Sequence, residues 1–166
     1  MYQIKNLILK LSLTFFSILI FSCAENKHVC NSKTQIQTLT MQKKIIQTDK
    51  SPAPIGPYSQ AVMVGNLLFV SGQVAIIPES GKIIQGDIAT ETMQVMNNIH
   101  AILVQAGMDF ENIVKTSIFL KNMDDFAKVN EIYGSNFSGD FPARETVQVS
   151  RLPKDVNVEI SVVAAK

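Results

Sequence analysis

Two charged residues in β-prone segments are the side chains of this sequence best suited to chemistry on a small carboxylic acid. Arg144 begins a predicted strand after a stiff proline, and Glu159 lies in the middle of a strand rich in β-branched residues. A guanidinium binds a planar carboxylate through two parallel hydrogen bonds, and a glutamate can exchange a proton with water or a substrate nitrogen. Spacing alone indicates no more than a carboxylate-binding site, because such residues more often form surface ion pairs or face solvent.

Two further segments could line such a site. Residues 55–60 (IGPYSQ) form a rigid turn that delivers Tyr58 to the entrance of a strand, and residues 69–73 (FVSGQ) end a strand in the small residues Ser71 and Gly72. Taken singly, Tyr58 is more often a lid over a core, and a Ser-Gly pair is more often a bulge or turn than an anion cradle. The combination of the four segments is what argues for a site.

Several other chemistries lack the residues they need. The sequence has no phosphate-binding loop, no dinucleotide-binding glycine pattern, no His-Glu-x-x-His motif and no cysteine pair with zinc spacing. Because Cys23 and Cys30 are the two cysteines, the chain after them has no thiol nucleophile and no disulfide. A formal net charge of +1 gives no electrostatic footprint for nucleic acid. His100 lies near the edge of the apolar stripe of a predicted helix and is expected to be a neutral surface or boundary residue.

The N-terminal segment has the composition of a targeting sequence. Lys5 and Lys10 precede the apolar residues 11–21, which are too few to cross a bilayer but have the length of a secretory signal core. This stretch ends in IFSC at residues 20–23, which resembles the lipobox of bacterial lipoproteins.

These features predict three parts of the chain. We expect a signal peptide at residues 1–22, a polar tether at residues 23–40 with lipid on Cys23, and a folded domain at residues 41–166. The protein would then be a membrane-anchored lipoprotein of the cell envelope, on the periplasmic or outer-membrane side, with the lipid as its one membrane contact. If translation starts instead at Met41, the protein would be cytoplasmic.

The periodicity of the domain predicts an α+β fold with the order β-β-β-α-β-α-β-β. The predicted strands are residues 43–48, 60–64, 67–74, 112–120, 145–150 and 157–164, and the predicted helices are residues 88–106 and 124–137. Asp87 is expected to cap the first helix and Gly107 to end it. A sheet covered on one face leaves another surface to be satisfied by oligomerisation, and the row Val156, Val158, Ile160 and Val162 suits either surface.

Taken together, the segments resemble the RidA family, also called the YjgF family, from about residue 41 to residue 166. Two signature blocks of that family are matched by PAPIGPYSQA at residues 52–61 and by FPAR at residues 141–144, followed by RLPKDV at residues 151–156. The resemblance implies a chorismate-mutase-like fold in which a mixed sheet carries two helices on one face. It also implies a homotrimer built around a barrel of three sheets, with ligand clefts between neighbouring subunits.

The activity that the resemblance implies is hydrolysis of reactive 2-imino acids, such as 2-iminobutanoate and 2-iminopropanoate, to 2-keto acids and ammonia. This chemistry needs no metal and no other cofactor, because an imine carbon is already electrophilic. Arg144 matches the family arginine that pairs with the substrate carboxylate, and Glu159 matches the glutamate that positions or activates water. Tyr58, Ser71 and Gly72 match positions that line the cleft.

The resemblance also assigns expectations to two further residues, Thr146 and Asn130. Thr146, which is implied to contact the substrate beside Arg144, stands where many members carry a cysteine, so the pocket lacks a thiol. Asn130 matches a recurrent position for which we expect a structural role.

A second interpretation is a non-catalytic trimer of the same fold that binds a small carboxylate or acts as a protective holdase. Arg144 with Glu159 favours the enzyme, whereas an envelope location favours the binding module, because the dehydratases that generate imines are cytosolic. A purely structural lipoprotein would leave the arginine-glutamate pattern unexplained.

Overall fold

The computed structural model describes residues 42–166, which build a six-stranded mixed sheet and two helices. The sheet order is β1-β2-β3-β6-β4-β5; β4 and β5 are parallel and the other neighbours are antiparallel. The predicted α+β class and element order are confirmed, while the predicted signal peptide, Cys23 and the tether lie outside the described residues. The strands are β1 (Lys43–Ile46), β2 (Ala61–Val64), β3 (Leu67–Gln73), β4 (Ile113–Leu120), β5 (Ala143–Gln148) and β6 (Val158–Ala165), and the helices are α1 (Ile88–Gln105) and α2 (Phe126–Gly134).

Helix α1 begins and ends where the sequence predicts. The Asp87 carboxylate accepts hydrogen bonds from the backbone N–H groups of Ala89 and Thr90, and Gly107 takes a φ of +69° after the last turn. Its buried face packs on the sheet and includes Thr92, Val95, Ile99, Ile102 and Leu103. No helix within residues 42–166 is both long and apolar enough to cross a membrane.

Two local expectations differ from the structure. Alternation along the predicted strand 112–120 places Val114 on the same face as Thr116, but Val114 is exposed because the register between β4 and β6 shifts beside it. Helix α2 is shorter than the predicted 124–137: a 3₁₀ turn, Met123–Asp125, precedes it, and the helix ends at Gly134 with Ser135 as its C-cap.

The two faces of the sheet have different environments. The row predicted to suit either surface is buried: Val158, Ile160 and Val162 belong to the core beneath the helices, and Val156 is buried just before β6 begins. The opposite face, here called the open face, carries apolar side chains that are roughly half exposed. They include Ile45, Leu67, Phe69 and Val147. An exposed apolar sheet face of this kind is typical of an interaction surface.

Candidate functional site

Glu159 lies beside a bulge in β3 that makes room for its carboxylate. Val70 pairs with Val162 and Gln73 with Ile160, so three steps along β3 match two along β6. The extra backbone is at Ser71 and Gly72. A Cβ placed on Gly72 would lie 1.9 Å from Glu159 Oε1 and 2.7 Å from its Cδ. The carboxylate therefore rests directly on the glycine backbone, which explains why no side chain is present there.

The Glu159 cleft is a depression of about 250 Å³ whose other walls are mostly apolar. Its two hydroxyl groups bond to nearby backbone: Ser71 Oγ donates to Ser59 O at 2.7 Å, and Tyr58 Oη accepts from Ile55 N at 3.2 Å. Burial raises the pKa of Glu159 because the charged form loses hydration. The cleft thus holds a carboxyl group poised to take or give a proton. Its lining residues are Ile55, Tyr58, Ser71, Gly72, Val74, Pro153 and Glu159.

Arg144 lies in a different depression, the Arg144 cleft, of about 380 Å³. Its guanidinium carbon is 4.9 Å from the centroid of the Tyr133 ring and 5.9 Å from that of Phe126, within the range of cation–π attraction. Within residues 42–166 it forms no ion pair with a carboxylate. Aromatic rings therefore orient the guanidinium while its N–H groups remain available to an anion. The cleft is lined by Asn130, Tyr133, Gly134, Phe141, Pro142 and Arg144.

The two charged residues lie on opposite faces of the sheet. Arg144 pairs with Thr116, whose Oγ1 is 3.0 Å from Tyr133 Oη on α2, so the arginine belongs to the helix-covered face. Glu159 pairs with Phe119, which also pairs with Val147 on the open face. One chain therefore brings Tyr58, Ser71, Gly72 and Glu159 together, and it places Arg144 elsewhere.

Thr146 and Asn130 lie on the Arg144 side. Thr146 pairs with the buried Ile118, and its Oγ1 is buried without a hydrogen-bond partner in the described part of the chain. Asn130, for which we expected a structural role, is exposed and lines the Arg144 cleft. Asn130 thus presents an amide to a ligand in the cleft, whereas the predicted substrate contact Thr146 does not line it and keeps its hydroxyl buried.

Sequence reasoning missed the aromatic side of the Arg144 cleft. The helical spacing of apolar residues within 124–137 places Tyr133 among the core residues of that helix. Its phenol is buried, which raises its pKa despite the hydrogen bond to Thr116 and the charge of Arg144. The signal was present in Phe141 and Pro142, which precede the arginine and form one wall. No group of three or more potential metal-ligating side chains occurs in residues 42–166.

Comparison with known proteins gives consistent matches. The family model described as endoribonuclease L-PSP matches residues 48–166. A RutC family protein of Pyrococcus abyssi is 52% identical over 126 residues, which cover 76% of this chain and 99% of that protein. The mouse 2-iminobutanoate/2-iminopropanoate deaminase is 47% identical over 124 residues, covering 75% of this chain and 92% of the relative.

Solved structures agree with the fold. The YjgF gene product of E. coli superposes with a TM-score of 0.71 at 43% identity, covering 74% of this chain and 98% of that chain. E. coli TdcF with bound serine superposes with a TM-score of 0.72 at 40% identity, with coverage of 74% and 98%.

Proposed function

This chain belongs to the endoribonuclease L-PSP family, which includes the RidA and YjgF proteins, and we propose that it hydrolyses 2-imino acids to 2-keto acids and ammonia. The observation that carries the proposal is a pair of complementary half-sites within residues 42–166: there the Glu159 cleft holds a carboxyl group without a cation, and the Arg144 cleft holds a cation without a carboxylate. Relatives from mouse, rat and cattle that bear the name of this deaminase, at 45–47% identity, support the substrate class.

The complete site forms between two copies of the chain in a homotrimer. Because Arg144 and Glu159 lie on opposite sheet faces, a ligand can touch both only where one subunit's Arg144 cleft meets the Glu159 cleft of a neighbour. A trimer is typical of the family, and the exposed apolar side chains of the open face supply a surface to bury in it.

In the assembled site, each residue has a distinct task. The Arg144 fork binds the substrate carboxylate through two hydrogen bonds, and the amide of Asn130, which lines the same cleft, can donate a further one. The serine bound to TdcF, an α-amino acid with the same carboxylate, supports a ligand of this size. The apolar wall around Tyr58 excludes bulk water and strengthens these charge interactions.

Glu159 carries the proton transfers. Its carboxylate accepts a proton from a water molecule while the oxygen attacks the imine carbon, which gives a tetrahedral carbinolamine. Glu159 passes this proton to the former imine nitrogen, which completes the carbinolamine, and then takes the proton of the hydroxyl group. As it delivers that second proton to nitrogen, the C–N bond breaks with its electron pair leaving on nitrogen as ammonia, and C=O forms. One imine and one water thus become one keto acid and one ammonia. A raised pKa suits both directions of transfer near neutral pH.

The test is competition for imines generated in solution. An amino acid oxidase produces 2-imino acids and semicarbazide traps those that survive, so an imine hydrolase lowers semicarbazone formation. We expect the parent to suppress the signal and Arg144→Ala to lose about 10²-fold or more in kcat/KM, because truncating one member of a desolvated charge pair costs about 2–5 kcal/mol. Arg151→Ala, in which the lost side chain is 79% exposed, is the matched control and keeps parent activity. A well-folded parent that leaves the signal unchanged would support the carboxylate-binding module instead.

We also propose that the protein is anchored in the cell envelope through lipid on Cys23. The support is the order of lysines, apolar core and IFSC in residues 1–23. Metabolic labelling with an alkyne-tagged fatty acid tests the proposal: the parent should carry label and Cys23→Ser should not. Unlabelled parent protein that begins at Met41 would contradict it.

A further inference from the structure

Glu91, in the first turn of α1, is a fully buried carboxylate outside both clefts. Its Oε1 accepts hydrogen bonds from Gly86 N at 2.9 Å and from Asn157 Nδ2 at 2.6 Å. Its Oε2 accepts from the backbone N–H of Asn157 at 3.2 Å. A buried charge is tolerated only when it is well bonded, and these three donors, together with the positive end of the α1 dipole, stabilise it.

The segment that Glu91 holds connects two walls of the Glu159 cleft. Pro153 lies at one end and Glu159 at the other, and between them Lys154 and Asp155 take positive φ values of +58° and +57°. Two consecutive residues other than glycine in the left-handed region are strained, and such strain persists only where the surroundings enforce it.

The segment that precedes α1 supplies that enforcement. Gln85 Nε2 approaches the carbonyl oxygens of Lys154 and Asp155 at 3.3 and 3.4 Å. Glu91 then fixes Asn157 through both its backbone and its side chain. On the other side, the Asn157 carbonyl accepts from Lys121 N at 2.9 Å. Hydrogen bonds from the start of α1 and the residues before it therefore fix residues 154–157 immediately before β6 begins.

We propose that Glu91 is a positioning residue for imine hydrolysis: by fixing Asn157, it sets the entry of β6 and thereby the place of the Glu159 carboxylate over Gly72. The inference rests on the proposed function of Glu159. A carboxylate is required because all three partners are donors, so an amide at position 91 must point its own N–H groups at one of them.

The experiment compares Glu91→Gln with the parent and with Glu131→Gln, the same change at a side chain that is 66% exposed on α2. We expect Glu91→Gln to lower kcat about tenfold and leave KM within about twofold, because a misplacement of about 1 Å at a catalytic group costs up to 10²-fold while Arg144 still binds the substrate. Glu131→Gln should match the parent in both constants. A Glu91→Gln variant with the kcat of the parent would overturn the proposal. So would a variant that unfolds and for that reason changes in both kcat and KM.

Rescue separates positioning from general support of the fold. In Glu91→Gln with Asn157→Asp, the new amide can donate to the new carboxylate while its oxygen accepts from the backbone N–H of residue 157, which restores two of the three bonds. The double variant should recover kcat to within about threefold of the parent, since residues in contact are strongly non-additive. If the loss of kcat in the double variant equals the product of the losses in the two single variants, the proposal is overturned.

A readout without substrate keeps the inference distinct from the function it rests on. Amide hydrogen exchange in residues 154–159 should accelerate at least tenfold in Glu91→Gln, and the rest of the sheet should keep the parent rates. An inactive parent would overturn the imine hydrolase proposal and the role of Glu91 in it, whereas altered exchange would still show that Glu91 fixes β6. Unchanged exchange would overturn the positioning claim even in an active enzyme.

Discussion

Substituting Gly72 by alanine should strongly lower the rate of imine hydrolysis while leaving the fold intact. The new Cβ would lie 1.9 Å from Glu159 Oε1, whereas ordinary contact begins near 3.4 Å, so the carboxylate must move by about 1.5 Å. That oxygen is the far end of a flexible side chain, so the movement is cheap. The φ of Gly72 also lies outside the left-handed region, so alanine introduces no backbone strain there.

A displacement of this size fixes the expected loss of activity. Because misplacing a catalytic group by about 1 Å costs roughly 10²-fold, Gly72→Ala should lower kcat by at least about 10²-fold, equivalent to about 2.7 kcal/mol of transition-state stabilisation. The free energy of unfolding should change by less than about 1 kcal/mol, since no core atom is removed and the glutamate rotates away.

Semicarbazide competition and thermal unfolding measure the two quantities in parallel. Gly139→Ala is the matched control, because no atom lies within 4 Å of its added Cβ, and it should keep parent activity. Full activity in Gly72→Ala would refute the reasoning, because it would mean that the carboxylate need not rest on the glycine. Loss of activity accompanied by unfolding would equally refute it, since the fold is predicted to survive.

Two further substitutions test charge and polarity at Glu159 and Thr146. Burial raises the pKa of Glu159, so its contribution to stability is full at pH values below the ordinary glutamate range and is lost as pH rises through the raised folded-state pKa. Glu159→Gln should therefore raise Tm at pH 7 and match the parent Tm at pH 3. The same variant should lower kcat by about 10²-fold or more, because it removes the group that transfers protons. The acid limb of the parent kcat/KM profile should lie above the ordinary glutamate range, and a limb at or below that range would contradict this assignment. Thr146→Val should raise the free energy of unfolding by about 1 kcal/mol, because it removes a buried unpaired hydroxyl. It should leave kcat/KM within about twofold, because Thr146 does not line the Arg144 cleft. Denaturant unfolding and steady-state kinetics check the two values, and a destabilised variant would contradict the first.

The elements of the fold were predictable because their signals are local. Asp87 and Gly107 bound α1 through side-chain capping and positive φ, both of which depend on residue type alone. Strand alternation correctly separated Val158 and Ile160 from Glu159, because successive side chains point to opposite faces. Alternation did not predict the exposure of Val114, because that exposure results from a register shift against β6, which lies far away in sequence.

The geometry of the site was predictable only in part. Alternation shows which residues of one strand share a face, but it cannot say whether Arg144 on β5 and Glu159 on β6 face the same side. That depends on the pairing of both strands with β4. The contact of the Glu159 carboxylate with Gly72 and the hydrogen bonds of Glu91 with Asn157 likewise join residues more than 60 positions apart, which no local pattern encodes.

The central claim is that one subunit's Arg144 and another's Glu159 form a single site, and mixing two inactive variants tests it most directly. Arg144→Ala and Glu159→Gln chains are co-expressed and hybrid trimers are purified, so that some interfaces join an intact arginine to an intact glutamate. Each hybrid trimer, whichever variant it holds in two copies, has one complete interface out of three, so about a third of parent activity should return although each variant alone is inactive. Hybrid trimers, verified by mass, that remain as inactive as the single variants would contradict the claim.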